Sequence, residues 1–172
     1  MVDLIIDKAD IAEFKQISKA LSVDKSDEYI REAQEIDLRA LLTPKFYADL
    51  IANYTETKYQ TLINGTTYVV DGITYEFNGL KAVLTYYAYA RLVLTVDVVN
   101  TPFGLNRKLS QDSEPISATQ KRDIRDESRQ TASTYFQQVK AYIEAHEDDY
   151  PYYFEGCKTS KNFLNRIYID RI

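Results

Sequence analysis

The stretch Tyr68-Val-Val-Asp-Gly-Ile-Thr-Tyr-Glu-Phe77 carries the strongest local signal in the chain. Two runs rich in β-branched and aromatic residues flank Asp71-Gly72, a pair that supplies the positive φ angles of a tight turn. The pattern predicts a β-hairpin over residues 67–78. Because an isolated hairpin is only marginally stable in water, this one must lie on helices or pair with another chain.

The segment after the hairpin predicts the centre of the fold. Leu80 to Val96 is apolar almost all round, with interruptions at Lys81, Thr85 and Arg91. A helix that is hydrophobic on every side is normally the central helix of its domain. The run is too short and too polar for a membrane span, so no membrane association is expected.

Upstream of the hairpin the sequence predicts shorter helices. Apolar residues recur at helical spacing over Asp10–Leu21 and over Glu28–Leu42, with a polar break at Ser22–Asp27 between them. Thr43-Pro44 has the form of an N-cap followed by proline at the first helical position. We expect the helix that it opens to run to Tyr54 or beyond.

Downstream of the central helix, the sequence predicts an irregular stretch followed by a long helix. Val98 to Pro115 is punctuated by Pro and Gly, and an ordered loop of this length is usually functional. Ser117-Ala-Thr-Gln120 fits a capping box and opens the longest helix, to about Glu147. In the terminal residues, Ile167 and Ile169 alternate with Tyr168 and Asp170 at strand period.

These elements predict a mainly α fold: a helical bundle around a central apolar helix, with one β-hairpin and an extended C-terminal tail. Its 172 residues correspond to about one domain. We therefore expect a helical domain at residues 1–149 and an extended arm at residues 150–172.

Composition narrows the classes of function. The start, Met1 to Asp7, lacks the basic flank and long apolar run of a secretory signal. With one cysteine, Cys157, the chain has neither a disulfide framework nor a multi-cysteine zinc site. The 15 tyrosines, without any Trp, either fill half-exposed core edges or serve an interface.

The charge balance argues against phosphate-driven binding of nucleic acid. The chain has 26 Asp and Glu against 21 Lys and Arg, a formal net charge of −5. Proteins that bind nucleic acid by neutralising phosphates usually carry a basic face. An acidic chain can nevertheless lie close to DNA, where repulsion would keep the DNA from adhering.

Few residues are suited to catalysis. His146 precedes Glu147, Asp148 and Asp149, which indicates either a small acidic metal site or a solvated helix end on which His146 packs on the helix stripe. Cys157 has the features of a buried structural thiol. No glycine-rich phosphate loop is present. We therefore expect no enzyme activity, no metal and no cofactor.

Several motifs together resemble a known class of virion protein. They are Tyr75-Glu-Phe-Asn-Gly-Leu-Lys-Ala-Val-Leu84, Tyr86-Tyr-Ala-Tyr-Ala-Arg91, Asn100-Thr-Pro-Phe-Gly-Leu-Asn-Arg-Lys108, Ser113-Glu-Pro115 and Tyr150-Pro-Tyr152 before Cys157. With the order of elements, they resemble the head–tail connector (neck, or adaptor-ring) proteins of tailed bacteriophages. Within that group the chain is most similar to the ring proteins of crAss-like phages of Bacteroidales. The likeness covers most of the chain, and its motifs are structural.

The resemblance implies a role in assembly. Connector proteins form a ring, commonly of twelve subunits, that joins the portal protein to the tail or to a second ring protein and leaves a channel for DNA. The expected location is the neck of the virion, after assembly in the host cytoplasm. DNA would pass through without sequence-specific binding.

Three segments are candidates for partner contacts. The mixed charges of Lys121–Arg129 suit ion pairing between subunits, and Asn165–Ile172 suits strand addition to a neighbouring edge. The hairpin is a second exposed edge. Each segment could instead fold back onto its own domain. The predicted partner-binding residues are Phe103, Arg107, Lys108, Arg122, Arg125, Arg129, Arg166, Tyr168 and Arg171.

Two other classes remain open. A tail-side or other minor virion protein would share this composition without closing a ring. A small hydrolase or metal enzyme would require His146 and the nearby acids to converge in a pocket.

Overall fold

Helices form most of the part of the chain that the structure, a computed structural model, describes: residues 3–18, 21–95, 98–101, 104–107 and 116–155. The helices are α1 (Lys8–Phe14), α2 (Val23–Glu32), a π-helical segment (Ala33–Leu38), α3 (Arg39–Leu41), α4 (Pro44–Asn53), α5 (Thr57–Asn64), α6 (Gly79–Thr95) and α7 (Ala118–Ala145). The strands are β1 (Thr66–Val70), β2 (Ile73–Phe77), β3 (Val98–Thr101) and β4 (Gly104–Arg107). The predicted mainly α class with a hairpin is confirmed.

An antiparallel pair of helices, α6 and α7, forms the centre of the molecule. The rings of Tyr86 and Tyr135 lie 5.4 Å apart, and Ile124 lies beside Val93. Positions further along α6 therefore meet earlier positions of α7. Buried residues cover nearly every side of α6, as the uniform apolarity of its sequence predicted. No described helix is long and apolar enough to cross a membrane.

Polar contacts fix the N-terminal elements against this pair. Lys81 of α6 lies 2.7 Å from the Asp10 carboxylate of α1 and 3.5 Å from that of Glu13. The fully buried Gln34 accepts a hydrogen bond from the Ile5 amide and donates one to the Asp3 carbonyl. Gln34 lies in the π-helical segment, so this segment holds the first residues of the chain on the bundle.

The helix boundaries follow capping chemistry more closely than apolar spacing. Thr43 caps α4 as predicted, its hydroxyl accepting from the Phe46 amide at 3.2 Å. The polar break predicted at Ser22–Asp27 is wrong, because Ser22 is an N-cap and α2 begins at Val23. The first helix is α1, ending at Phe14 instead of Leu21.

The structure corrects two predictions for the less regular segments. The stretch from Val98, expected to be a loop, contains a second antiparallel pair, β3 with β4. The arm expected from residue 150 does not begin there, because residues 151–155 are helical and Tyr150 is 1% exposed. Aromatic packing is the reason: Tyr150 and Tyr153 lie edge-on to Phe46. The remainder of the arm, residues 156–172, lies outside the described residues.

Candidate assembly surfaces

The hairpin is anchored to the bundle at its root. Its Asp71-Gly72 turn has positive φ at both residues, 51° and 78°, which is the type I′ geometry that suits the twist of a hairpin. Strand register places Tyr68 opposite Tyr75. Phe77 is 2% exposed, and its ring stacks on Tyr142 of α7 with centroids 4.3 Å apart. The root is therefore part of the core.

Beyond this root the hairpin presents apolar side chains to solvent. Val69, Ile73 and Tyr75, which we call the hairpin tip, are 64%, 57% and 44% exposed. Asp71 and Glu76 are exposed beside them, and neither has an ion pair in the described part of the chain. The tip is thus an apolar projection with two unneutralised carboxylates.

Aromatic rings support the hairpin from the end of α7. His146 is the C-cap of α7, and its Nδ1 lies 2.9 Å from the Tyr142 carbonyl. Its ring lies 4.2 Å from that of Tyr142 and 5.7 Å from that of Tyr68. The prediction that His146 packs on the helix stripe is confirmed. Burial raises the pKa of Tyr68 and of Tyr142, which favours the protonated form of both phenols.

An apolar hollow of about 180 Å³ lies towards the opposite end of α6. Its apolar lining residues are Ile17, Tyr89, Leu92, Val93, Ile116 and Ile124. We call this feature the end hollow. From Gly79, next to the hairpin, to Leu92 is thirteen residues, or about 20 Å of helix. Hairpin tip and end hollow are therefore well separated on one subunit.

A cation lies beside the end hollow. The Lys15 ammonium is 4.9 Å from the ring centroid of Tyr86 and 5.0 Å from that of Tyr89, a residue that lines the hollow. Aromatic faces attract a cation, but they do not neutralise its charge. No carboxylate in the described residues pairs with Lys15. One net positive charge therefore stays at the rim.

Charged side chains also meet where α6, α7 and the π-helical segment pack together. Asp37, with a side chain only 5% exposed, accepts from Arg91 at 2.8 Å and from Arg129 at 3.1 Å. Arg91 also lies 2.8 Å from Glu32, and Arg129 lies 5.2 Å from the Tyr87 ring. Each oxygen of the buried carboxylate thus has a guanidinium partner, which buried charges require. We assign this cluster to holding the helices together.

The three α7 arginines that were predicted to bind a partner have different surroundings in the structure. Arg129 is held by Asp37 in its own chain, whereas among the described residues Arg125 pairs with its neighbour Asp126 at 2.7 Å. Arg122 is exposed without an ion pair among the described residues. Arg107 is the last residue of β4. Outside the described residues lie Phe103, Lys108, Arg166, Tyr168 and Arg171, as does Cys157.

Sequence reasoning identified one of the two apolar surfaces. The hairpin was expected to be an exposed edge, and its tip is exposed. The end hollow was missed because it combines Ile17, Leu92 and Ile124, which are distant in sequence. One local signal was present: Ile116 stands directly before the capping box at Ser117, where an apolar residue often packs against the first turns of the helix.

The acidic side chains near the end of α7 do not assemble into a metal site. In the described residues, no three His, Cys, Asp or Glu side chains are grouped so that they could hold a metal ion. Within the described residues, the candidate site thus consists of the exposed hairpin tip, the end hollow and the internal ion cluster.

Comparison with known proteins places the chain in a family. No curated protein and no solved structure matches it. Residues 38–163 match a family of unknown function, DUF6712. The matched region begins at Leu38, the last residue of the π-helical segment, and includes the hairpin, α6 and α7. Because it covers well over half of the sequence, the chain belongs to the DUF6712 family.

Proposed function

We propose that this chain is a structural subunit that self-associates into a ring at the head–tail junction of a tailed bacteriophage. The ring would join the portal to the tail and leave a channel for DNA. The observation that carries the proposal is the pair of unlike apolar surfaces, hairpin tip and end hollow, at opposite ends of α6.

Unlike surfaces on one subunit favour head-to-tail association. A contact between two different patches repeats from copy to copy, and it closes into a ring when the rotation per subunit allows it. The anchored root of the hairpin keeps the two surfaces in a fixed relation, since Phe77 and Tyr142 stack in the core. A fixed angle between surfaces is what a closed ring requires.

The outer face of α7 supports passage of DNA beside this subunit. Gln130, Thr131, Thr134 and Gln138 line a shallow groove along it together with Glu127 and Tyr135, so the lining has one carboxylate and no basic side chain. The chain as a whole carries a net charge of −5. A neutral or acidic lining attracts no phosphates, and its repulsion is screened beyond about 8 Å at physiological salt. DNA could therefore slide without adhering.

The position at the neck rests on the resemblance to connector proteins. The motifs that carry it include Tyr75–Leu84 and Tyr86–Arg91, which the structure places in β2 and α6. These segments supply the end of β2 and much of the central helix. Part of the resemblance therefore lies in elements that position the proposed assembly surfaces.

Electron microscopy of the particles that contain this chain tests the proposal. We expect density for the chain, assigned by side-chain fit, in a symmetric ring below the portal vertex. Density elsewhere in the tail would replace the connector role by that of a tail-side protein. Absence of the chain from purified particles would contradict a virion role altogether.

A further inference from the structure

We infer that the hairpin tip of one subunit docks into the end hollow of the next copy of the same chain. The inference rests on the proposed ring and specifies the surfaces that build it. Three observations carry it: the size of the hollow, the exposure of the tip and the charges beside each surface.

The size of the end hollow suits a side chain of the tip. Its volume of about 180 Å³ slightly exceeds that of a cavity of roughly 150 Å³ that holds a benzene molecule. One aliphatic side chain or one aromatic ring therefore fits. Ile73 and Tyr75, at 57% and 44% exposure, are side chains of this kind on one face of β2.

The charges at the two surfaces are complementary. Residues 66–77 include Asp71 and Glu76 and no Lys or Arg, so the hairpin is acidic. The end hollow has the Lys15 ammonium at its rim, beside Tyr89. None of these three charges has an ion pair among the described residues. Docking between two copies would bring the hairpin carboxylates of one copy near the Lys15 ammonium of the other. The attraction would also steer the tip of one copy towards the hollow of another.

Contact between unlike ends also explains why the hairpin tip of one subunit does not fill the end hollow of the same subunit. The end hollow begins at Tyr89, about 15 Å along α6 from Gly79 at the base of the hairpin. The stacked pair Phe77 and Tyr142 keeps the root in place, so the tip cannot fold back over that distance. A second copy can bring its own tip to the hollow.

Two variants separate this interface from other modes of association. Ile73→Asp places a charge on the tip, and Gln16→Trp places a large ring over the end hollow from its rim. Ile36→Asp is the matched control, since Ile36 is 56% exposed on the π-helical segment and belongs neither to the hairpin tip nor to the lining of the end hollow. Thermal unfolding checks that all three variants fold.

The measurement is the mass of the particles in solution, by sedimentation velocity and mass photometry over a range of concentrations. We expect wild type and Ile36→Asp to assemble, and each of the other two variants to remain monomeric. An equimolar mixture of Ile73→Asp and Gln16→Trp retains one intact tip and one intact hollow. It should therefore form dimers and nothing larger.

The other outcomes overturn the inference in distinguishable ways. If Gln16→Trp assembles like wild type while Ile73→Asp does not, the tip binds a surface other than the end hollow. If both variants assemble, self-association stands and the proposed interface is wrong. If the mixture stays monomeric although wild type assembles, docking of tip into hollow is excluded. If wild type itself stays monomeric, the self-assembly in the proposed function fails as well.

Discussion

At the scale of single residues, Asp37 is a buried charge that links the π-helical segment to both α6 and α7. Its buried carboxylate is held by Arg91 of α6 and Arg129 of α7. We expect Asp37→Asn to lower the free energy of unfolding by about 3 kcal/mol, because the change leaves the partly buried Arg91 with a weaker partner. Urea unfolding measures this loss.

Glu32→Gln provides the control for Asp37→Asn. It removes a carboxylate from the same arginine, but the Glu32 side chain is 44% exposed. A solvated pair of this kind contributes less than about 1 kcal/mol. Equal stability of the two variants would show that burial of Asp37 adds nothing to the pair.

The buried tyrosines make stability depend on alkaline pH. Burial raises the pKa of several phenols above the ordinary value near 10: Tyr47, Tyr59, Tyr68, Tyr86, Tyr87, Tyr142 and Tyr150. The folded chain keeps these protons when the unfolded chain has lost them. Stability is therefore fully present below about pH 10 and is lost as the pH rises through the folded-state values.

Tyr150→Phe tests this dependence at one position. Tyr150 is 1% exposed, and its hydroxyl donates to the Lys58 carbonyl at 2.8 Å. Urea unfolding between pH 9 and 11 should show a slope reduced by up to about 1.4 kcal/mol per pH unit in the variant. Tyr75→Phe is the control, since that ring is 44% exposed. An unchanged slope in Tyr150→Phe would contradict the prediction.

At the scale of elements, the glycines on either side of β2, Gly72 and Gly79, differ in the space that they leave for a side chain. Gly72 in the turn has φ of 78° and open space around it, whereas Gly79, at the start of α6, has φ of 68°. A Cβ at Gly79 would lie 2.2 Å from the Ile63 carbonyl oxygen. We expect Gly72→Ala to cost about 1–2 kcal/mol, the strain of a left-handed conformation. Gly79→Ala should cost clearly more, because backbone must also move.

Thermal and urea unfolding of the two alanine variants measure this difference. Both changes add the same methyl group at positive φ, so each serves as the control for the other. Equal losses would mean that the root of the hairpin can shift without cost. In that case the fixed relation between tip and end hollow would lose its support.

The elements that sequence predicted well are those with a local cause. The Asp71-Gly72 turn, the cap at Thr43 and the capping box at Ser117 each act within four residues, and all are present as predicted. The β3–β4 pair is also local, since Val98 pairs with Arg107 nine residues later, but the sequence predicted a loop there. The fold of residues 150–155, by contrast, depends on distant partners. Tyr150, for example, is buried because Phe46 and Lys58 lie around it.

The same contrast applies to the candidate site. The two β-rich runs around Asp71-Gly72 predicted the hairpin, because both strands and their turn lie in one short segment. The ion cluster and the end hollow combine residues that are far apart in sequence. Arg129 illustrates this: its charge suggested contact with a partner, but Asp37, 92 residues earlier, already binds it.

At the scale of the whole molecule, the lining of the end hollow combines residues of the family-matched region with residues that precede that region. The family match begins at Leu38, so Leu92, Val93 and Ile124 lie within it. Gln16 and Ile17 also line the hollow, and they lie before the matched region. The chain thus completes the hollow with residues outside the matched region. A partner that binds in the hollow would therefore contact residues of both parts of the chain.

The proposed assembly would give the α7 arginines separable roles. Arg122 is unpaired among the described residues, and Arg125 pairs only with the adjacent Asp126. We expect the double variant Arg122→Glu/Arg125→Glu to keep the thermal stability of wild type and to weaken ring formation. Exposed charges are screened by salt, so the difference should shrink as ionic strength rises. Sedimentation velocity at low and high salt measures it.

Arg129→Glu is the matched control on the same helix, and it should fail differently. It places a carboxylate against Asp37, so its loss should be in unfolding free energy, measured on the monomer. If Arg122→Glu/Arg125→Glu assembles like wild type at low salt, the first turns of α7 lie outside the interface. If its loss of assembly does not change with salt, the arginines act by packing instead of by charge. Only a salt-dependent loss in a fully folded chain assigns this half of α7 to contacts between subunits.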